Sequence, residues 1–268
     1  MQRGRFIFTV VLTLAAAGAG AASPPAPMDV VNLDFSASDV ASKLQLNGSA
    51  ALTKVNGKQV LRLTDGSGGN AASVFTKTPV PPVGDYLATF DFQVQGPDAN
   101  TPADGGFIYL VQTAGADHIG DVNNNGDNLG YTIFRQGPGT MPTEGFAGYS
   151  YGLAFSTLSA LNFVDNPEIV ELRAMGTNTR LNPTPFKMDS EGLLHASLRV
   201  QPDSLALTVQ GGKDYATAKT VFTSPPWVGN GLFAMSTKPL FFGFTGSDTG
   251  GQITDIFNLR VQSPAPAQ

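Results

Sequence analysis

An acidic turn directly ahead of a long apolar run is the most chemically suggestive stretch of this sequence. Pro102-Ala103-Asp104-Gly105-Gly106 leads into Phe107 to Val111, a run typical of a buried strand. The turn places the Asp104 carboxylate on a loop supported by a rigid strand, and binding groups are often held this way. Asp-Gly is also ordinary turn chemistry, because Asp bonds to its own backbone and Gly accepts positive φ. The stretch therefore predicts either a binding loop or a plain turn.

A second polar stretch, between residues 115 and 128, offers oxygen ligands at calcium-loop spacing. Its candidate ligands alternate along the chain: Asp121, Asn123 and Asn125. Gly126 follows them, as in the first half of a calcium loop. The twelfth position of that pattern is Thr132 rather than an acid, so the second half is missing. Calcium binding and an Asn/Gly-rich surface loop both stay open here.

The acidic residues and histidines form no catalytic arrangement. A glycosidase needs two carboxylates about 5–10 Å apart, which on a strand means acids two to four residues apart on one face. Glu168 and Glu171 fall on opposite faces of their strand, and Asp189 and Glu191 lie in a turn. A serine nucleophile elbow is missing, and neither histidine lies in a catalytic motif. We therefore expect a protein that is not an enzyme.

Composition points to a turn-rich β protein. The 268 residues include 31 Gly and 19 Pro, and only 14% are charged. The sequence contains no cysteine, which excludes disulfides and thiolate catalysis. Its formal net charge is −5 and no Lys/Arg cluster occurs, so nucleic acid and anionic membrane surfaces are poor candidates for partners.

The N-terminus has the pattern of a secretory signal peptide, predicted over residues 1–22. Arg3 and Arg5 precede an apolar run from Phe6 to Leu14, and small residues follow. A retained membrane anchor is the alternative interpretation. Residues 23–29 then form a Pro-rich linker, and residues 263–268 a flexible Pro/Ala tail. We expect secretion to the extracellular space or the periplasm, with no membrane contact after signal cleavage.

Short strands separated by turns account for the rest of the chain. From Tyr86 to Gln95 apolar and polar residues alternate, which predicts a strand with one face on the core. Val55-Asn56-Gly57-Lys58 is a hairpin signal. Leu194 to Gln201 alternates in the same way and turns at Pro202-Asp203 into another strand. Strands at this spacing, without a long amphipathic helix, predict an all-β antiparallel sandwich.

The same alternation assigns particular residues to faces and loops. Asp91 and His195 fall on the polar faces of their strands, so we expect both on the solvated surface. Leu240 to Phe244 is predicted as a buried strand, followed by a glycine-rich loop over residues 245–251. Residues 178–187 are predicted as a loop.

Several separated motifs occur in an order that matches one known family. They are Ala103 to Ile108, Asn128 to Tyr131, Glu191 to His195, Phe242 to Ser247 and Ile256 to Leu259. Together they resemble the L-type (legume-type) lectins over residues 30–262. The resemblance implies a concanavalin A-like jelly roll of two antiparallel sheets, in a secreted, bacterial-looking member of the family with degenerate metal ligands.

The resemblance also implies a sugar site in the loops at one end of the sandwich. Members of this family grip a hexose with an aspartate carboxylate, a backbone N–H from a glycine loop and an asparagine amide. By motif position Asp104 is the hydroxyl acceptor, within the turn that includes Gly105. Gly126 or Asp127 falls at the backbone donor, where Asp127 departs from the usual glycine, and Asn162 supplies the amide.

The family's metal ligands are largely missing. Calcium and a transition metal fix the sugar-binding groups in the family, through a Glu, an Asp two residues on and a later His. Ala154, Ser156 and Val170 stand near those positions, and only Asn162 and Asp165 are left as oxygen ligands. Calcium wants six to eight oxygens. We therefore expect no resident metal, with calcium at the Asp121 loop as the open alternative.

Two functional hypotheses follow from these observations. The first is a non-catalytic lectin that binds a glycan or glycoconjugate. The alternative is a lectin-fold structural, matrix or protein-interaction module that has lost sugar binding. A homo-oligomer would strengthen glycan binding by avidity, although no residue in the sequence indicates one.

Overall fold

The structure is a computed structural model that describes most of the chain between residues 26 and 264. The described residues are 26–96, 105–119, 129, 150–157, 169–174, 177–181, 188, 192–213, 217–224, 227–228, 237–248 and 251–264.

This part of the chain consists of sixteen strands and one helical turn. In chain order they are β1 (Met28–Asp34), α1 (Val40–Lys43), β2 (Leu44–Gly48), β3 (Ala51–Val55), β4 (Lys58–Asp65), β5 (Asn70–Thr76), β6 (Tyr86–Gln95), β7 (Gly105–Gln112), β8 (Ser150–Ser156), β9 (Ile169–Ala174), β10 (Thr177–Arg180), β11 (Leu194–Gln201), β12 (Ser204–Gly211), β13 (Lys219–Thr223), β14 (Trp227–Val228), β15 (Phe241–Asp248) and β16 (Ile253–Ser263).

The strands form two antiparallel sheets. The nine-stranded sheet has the order β13-β12-β11-β6-β16-β4-β3, with β1 paired to β16 and β14 paired to β12. The seven-stranded sheet has the order β10-β9-β8-β7-β15-β5-β2. Neighbours such as β6 and β16 are far apart in sequence, so the topology is that of a sandwich with long crossover connections. The predicted all-β antiparallel sandwich is confirmed.

The main core lies between the sheets and is rich in aromatic rings. The predicted inward face of β6 is fully buried, as the alternation requires. Phe90 on that face stacks on Tyr109 of β7 at 5.5 Å between ring centroids. Phe107 stacks on Phe155 of β8 at 4.8 Å. Edge and stacked pairs of this kind add to the area that the rings bury.

A second apolar cluster covers the opposite face of the seven-stranded sheet. It contains Phe75, Ile108, Leu110, Leu129 and Ala154. Ile108 and Leu110 alternate along β7 with Phe107 and Tyr109, which belong to the main core. Every residue of β7 is consequently buried, which explains why its sequence is a continuous apolar run rather than an alternating one.

Asp91 and His195 are not on the solvated surface, so that prediction was wrong. His195 and Asp91 lie opposite each other on β11 and β6, and Asn258 of β16 lies opposite Asp91 on its other side. His195 Nδ1 is 2.7 Å from Asp91 Oδ1, and Asn258 Nδ2 donates to Asp91 Oδ2 at 2.6 Å. Alternation assigns a residue to a face but does not reveal its cross-strand partners, which here allow the polar groups to be buried.

Two boundaries also differ from the sequence prediction. The predicted glycine-rich loop after Phe244 is largely strand, because β15 continues to Asp248 with cross-strand partners on both sides. β10 occupies the start of the predicted loop at 178–187 and pairs with β9. Among the described residues, no helix is long and apolar enough to cross a membrane.

Candidate functional site

Gly105 marks the end of the sandwich at which the predicted binding loops begin. It pairs with Asp248 at the end of β15. On its other side, the Gly105 N–H donates to Thr157 Oγ1 at 3.2 Å, and the Thr157 N–H donates to Gly105 O at 2.9 Å. The chain therefore enters β7, leaves β8 and leaves β15 at one common edge. Residue 104 and the segments after residues 157 and 248 all start from this edge.

Gly105 and Gly106 are required here by close packing rather than by backbone conformation. Neither is among the positive-φ glycines of the described chain. A Cβ on Gly105 would lie 2.7 Å from Ser247 O, and one on Gly106 would lie 2.5 Å from Phe155 O. Both distances are shorter than a carbon–oxygen contact allows. The turn interpretation, in which glycine supplies positive φ, therefore does not explain these two residues.

Leu129 brings a second predicted loop to the same place. Its side chain is fully buried and would lie 2.6 Å from a Cβ on Gly106. Its carbonyl accepts a hydrogen bond from Thr245 Oγ1 at 2.8 Å. The described flanks of the Asp104 turn and the Gly126 loop are thus in contact.

The other end of that loop is held on the same sheet face. Asn47 Nδ2 donates to Ala116 O at 3.0 Å, and Ser73 Oγ donates to His118 O at 2.6 Å. Ser73 also accepts from Asn47 Nδ2 at 2.9 Å. The segment up to residue 119 is consequently fixed to β2 and β5. Asn47 belongs to the one Asn-Gly-Ser glycosylation sequon, and its amide is already engaged in these contacts.

The loop between β4 and β5 is held at this end of the sandwich by Asp248, the last residue of β15. The Asp248 carboxylate is fully buried and accepts hydrogen bonds from the Gly68 and Asn70 N–H groups at 3.2 and 3.4 Å. Burial raises the pKa of Asp248 above its ordinary 3.8, while the two N–H groups act in the opposite direction. Asp65 accepts from Ser67 N–H and Oγ, which lowers the pKa of Asp65. These bonds hold residues 66–69 beside the end of β15.

Most of the predicted site residues lie outside the described residues. Of the predicted carbohydrate-binding set, the structure describes Gly105. The remaining members of that set and the weak metal candidates are outside it: Asp104, Gly126, Asp127, Asn162, Asp121, Asn123, Asn125 and Asp165.

The positions that the resemblance assigns to metal ligands are described, and they do not fit a metal. Ala154 is 1% exposed and belongs to the second apolar cluster with Ile108 and Leu110. Ser156 offers a hydroxyl 3.5 Å from Gly105 O, and Val170 is buried in the main core. The Ala154 and Val170 side chains have no donor atom for a metal, and calcium and transition metals in proteins are held mainly by carboxylate, carbonyl, imidazole or sulfur ligands. Within the described ranges, no group of three His, Cys, Asp or Glu side chains is placed to hold a metal ion.

A cleft among the described residues lies away from this end of the sandwich. A cleft of about 570 Å³ runs between β1 and residues 76–83, with Val30, Val80 and Val83 among its walls. Met28 at its rim pairs with Ser263, at the far end of β16 from Gln252 and Gly105. The cleft has both apolar and polar walls, and none of the residues predicted for sugar binding lines it. It is therefore separate from the candidate site.

Similarity to known proteins is found at the level of structure. No protein-family model and no curated protein matches the sequence. Peanut lectin with a 9mer peptide has a TM-score of 0.65 at 17% identity, over 91% of this chain and 100% of that chain. A Bauhinia forficata lectin in complex with GalNAc has 0.65 at 15%, over 88% and 98%. The VIP36 exoplasmic/lumenal domain in its Ca²⁺/Man3GlcNAc-bound form has 0.56 at 16%, over 88% and 89%.

These matches define the class of the fold. The chain has the concanavalin A-like jelly-roll fold of the L-type lectins, as the sequence motifs predicted. At these identities the likeness establishes the fold and leaves the ligand to be argued from the site.

Proposed function

We propose that this chain is a secreted, non-catalytic carbohydrate-binding protein that grips a glycan with the loops around Gly105. The observation that carries the proposal is the contact between Gly106 and Leu129, beside the Gly105–Asp248 strand pair. It supports a single site formed by the Asp104 turn, the Gly126–Asp127 loop and the segments after Thr157 and Asp248. In our proposal the signal peptide directs export.

The chemistry of these loops suits a polyhydroxylated ligand. A carboxylate such as that of Asp104 accepts two hydroxyl hydrogen bonds with defined direction. A backbone N–H at Gly126 or Asp127 and the amide of Asn162 add donors. Two structures with the same fold are complexes with GalNAc and with Man3GlcNAc, which supports a glycan as the ligand class.

The alternative is a lectin-fold interaction or matrix module without sugar binding. The apolar surroundings of Ala154 favour this alternative. The resemblance assigns a metal ligand to that position, and in the family the metal supports the sugar site. The two functions differ in one measurable property, which is glycan binding by the exported chain.

A glycan array probed with residues 23–268, in calcium and again in EDTA, separates the two functions. We expect binding that survives EDTA and is lost in Asp104→Ala. Asp203→Ala is the matched control, since Asp203 is exposed in the β11–β12 turn. Absence of binding by the unmodified protein in both buffers would support the interaction module. Equal binding by Asp104→Ala would contradict the site assignment.

A further inference from the structure

A chain of side-chain hydrogen bonds leads inward from Gly105. Thr157 Oγ1 accepts from the Gly105 N–H at 3.2 Å and donates to Gln252 Oε1 at 2.5 Å. Gln252 Nε2 in turn donates to Thr254 Oγ1 at 2.7 Å. The three supporting residues come from the end of β8, the β15–β16 connection and β16. This hydrogen-bond chain therefore joins Gly105, the first residue of β7, to β16 of the other sheet.

Burial makes this hydrogen-bond chain rigid. Gln252 and Thr254 are both 0% exposed, and both ends of the Gln252 amide have partners. A buried amide that lost a partner would keep the full cost of its desolvation, so the satisfied arrangement is strongly preferred. Thr157 is held from the backbone as well, because its N–H donates to Gly105 O. Gly105 is thus fixed through both its N–H and its carbonyl.

The fixed N–H has a direct consequence for the predicted sugar-binding turn. It belongs to the peptide group that joins residue 104 to Gly105. Because a peptide group is planar, the hydrogen bond from the Gly105 N–H restricts rotation at the junction between β7 and the turn that precedes it. The hydrogen-bond chain from Gly105 to Thr254 therefore fixes the described residue to which Asp104 is covalently joined.

We propose that Thr157 and Gln252 are positioning residues that hold the glycan-binding turn through this hydrogen-bond chain, without a metal ion. The inference rests on the proposed function. It accounts for a site whose expected metal-ligand positions carry the Ala154 methyl and the Ser156 hydroxyl. Amide and hydroxyl groups replace charged ligands as the support beneath the loop. Binding is consequently insensitive to chelators and sensitive to two residues that do not touch the glycan.

The test uses variants of residues 23–268 in EDTA. Thr157→Val removes the hydroxyl that links Gly105 to Gln252, and Gln252→Leu removes the amide. Thr157→Ser keeps the hydroxyl and should restore binding. Thr64→Val is the matched control, because Thr64 lies opposite Thr254 and is fully buried. Its hydroxyl has no hydrogen-bond partner within the described ranges.

Two readouts distinguish positioning from simple stability. The first is affinity for the strongest array glycan, measured in EDTA at a temperature where every variant is folded. We expect Thr157→Val and Gln252→Leu to bind about tenfold more weakly, and Thr157→Ser and Thr64→Val to match the unmodified protein. The second is hydrogen exchange of the Gly105 amide by NMR, which should be slow in EDTA and about tenfold faster in Thr157→Val.

The outcomes of these experiments distinguish failure of the positioning inference from failure of the proposed function. Glycan binding that disappears in EDTA, or that is unchanged in Thr157→Val, would overturn the positioning inference while leaving carbohydrate binding intact. If the unmodified protein binds no glycan, the proposed function fails. The hydrogen-exchange rate of the Gly105 amide then still tests whether the hydrogen-bond chain holds the turn. Rapid exchange of that amide in the unmodified protein would refute the inference on its own.

Discussion

Leu129→Ala tests whether the loop ending at Asn128 forms part of the binding site. Leu129 is fully buried in the second apolar cluster and is the described residue that anchors this loop beside Gly106. The substitution removes three carbons, and at about 0.8 kcal/mol for each the loss of burial is about 2.4 kcal/mol. The cavity left behind brings the expected loss of unfolding free energy to about 3–4 kcal/mol. A domain of ordinary stability remains folded after such a loss.

Leu110→Ala is the control that separates loop placement from stability. Leu110 is equally buried and belongs to the same cluster, but it lies within β7 and carries no loop. Urea unfolding should therefore show similar losses in the two variants. Glycan affinity at low temperature should fall at least tenfold in Leu129→Ala, a change of about 1.4 kcal/mol, and stay unchanged in Leu110→Ala.

Full glycan affinity in a folded Leu129→Ala variant would refute this reasoning. It would mean either that the loop does not depend on Leu129 or that the loop does not contact the glycan. Equal losses of affinity in both variants would show that binding responds to the stability of the sheet as a whole.

Three further predictions concern groups whose environment the structure describes. The raised pKa of Asp248 means that its stabilising contribution is fully present below pH 3.8 and is lost as pH rises through the folded-state pKa. Asp248→Asn does not titrate, so its unfolding free energy relative to the unmodified protein should increase from pH 3 to pH 7. A difference that stays constant over this range would contradict the prediction. His195→Ala removes the 2.7 Å partner of Asp91 Oδ1 at a buried position and should cost about 2 kcal/mol in urea unfolding; a loss below about 0.5 kcal/mol would contradict this expectation. Gly243→Ala places a Cβ in direct overlap with Val74 O and should abolish stable folding, whereas Gly57→Ala meets no atom within 4 Å and should cost only about 1 kcal/mol for its positive φ, as measured by thermal unfolding.

Local patterns in the sequence were enough to predict many of the strands and the class of the fold. The alternation from Tyr86 to Gln95 matches β6 at both ends, and Asn56-Gly57 forms the predicted hairpin with φ of 51° and 80°. These features depend on residues close together in the chain, through the two-residue period of strands and the backbone freedom of turn residues. Motif order then indicated the particular jelly roll, which the structural matches confirm.

The support of the candidate site was not predictable in this way. Thr157, Gln252 and Thr254 carry no shared motif, and nothing in the sequence connects them with Gly105. Their hydrogen bonds arise because β7, β8 and β16 meet at one end of the sandwich. A prediction of this chain of bonds would need the strand order, which is a property of the whole fold.

The sequence by itself determined many of the strands and turns, such as β6 and the Asn56-Gly57 hairpin, and which residues have the chemistry to bind a sugar. The tertiary structure decided which of those residues become neighbours and which polar groups can be buried. Asp91 shows the difference: period-two alternation assigned it to a polar face, but its burial depends on His195 and Asn258 from strands more than 100 residues away. Gly106 shows it as well, since its need for glycine comes from Phe155 and Leu129. Periodicity is a local property of the chain, whereas pairing and close packing depend on contacts between distant segments.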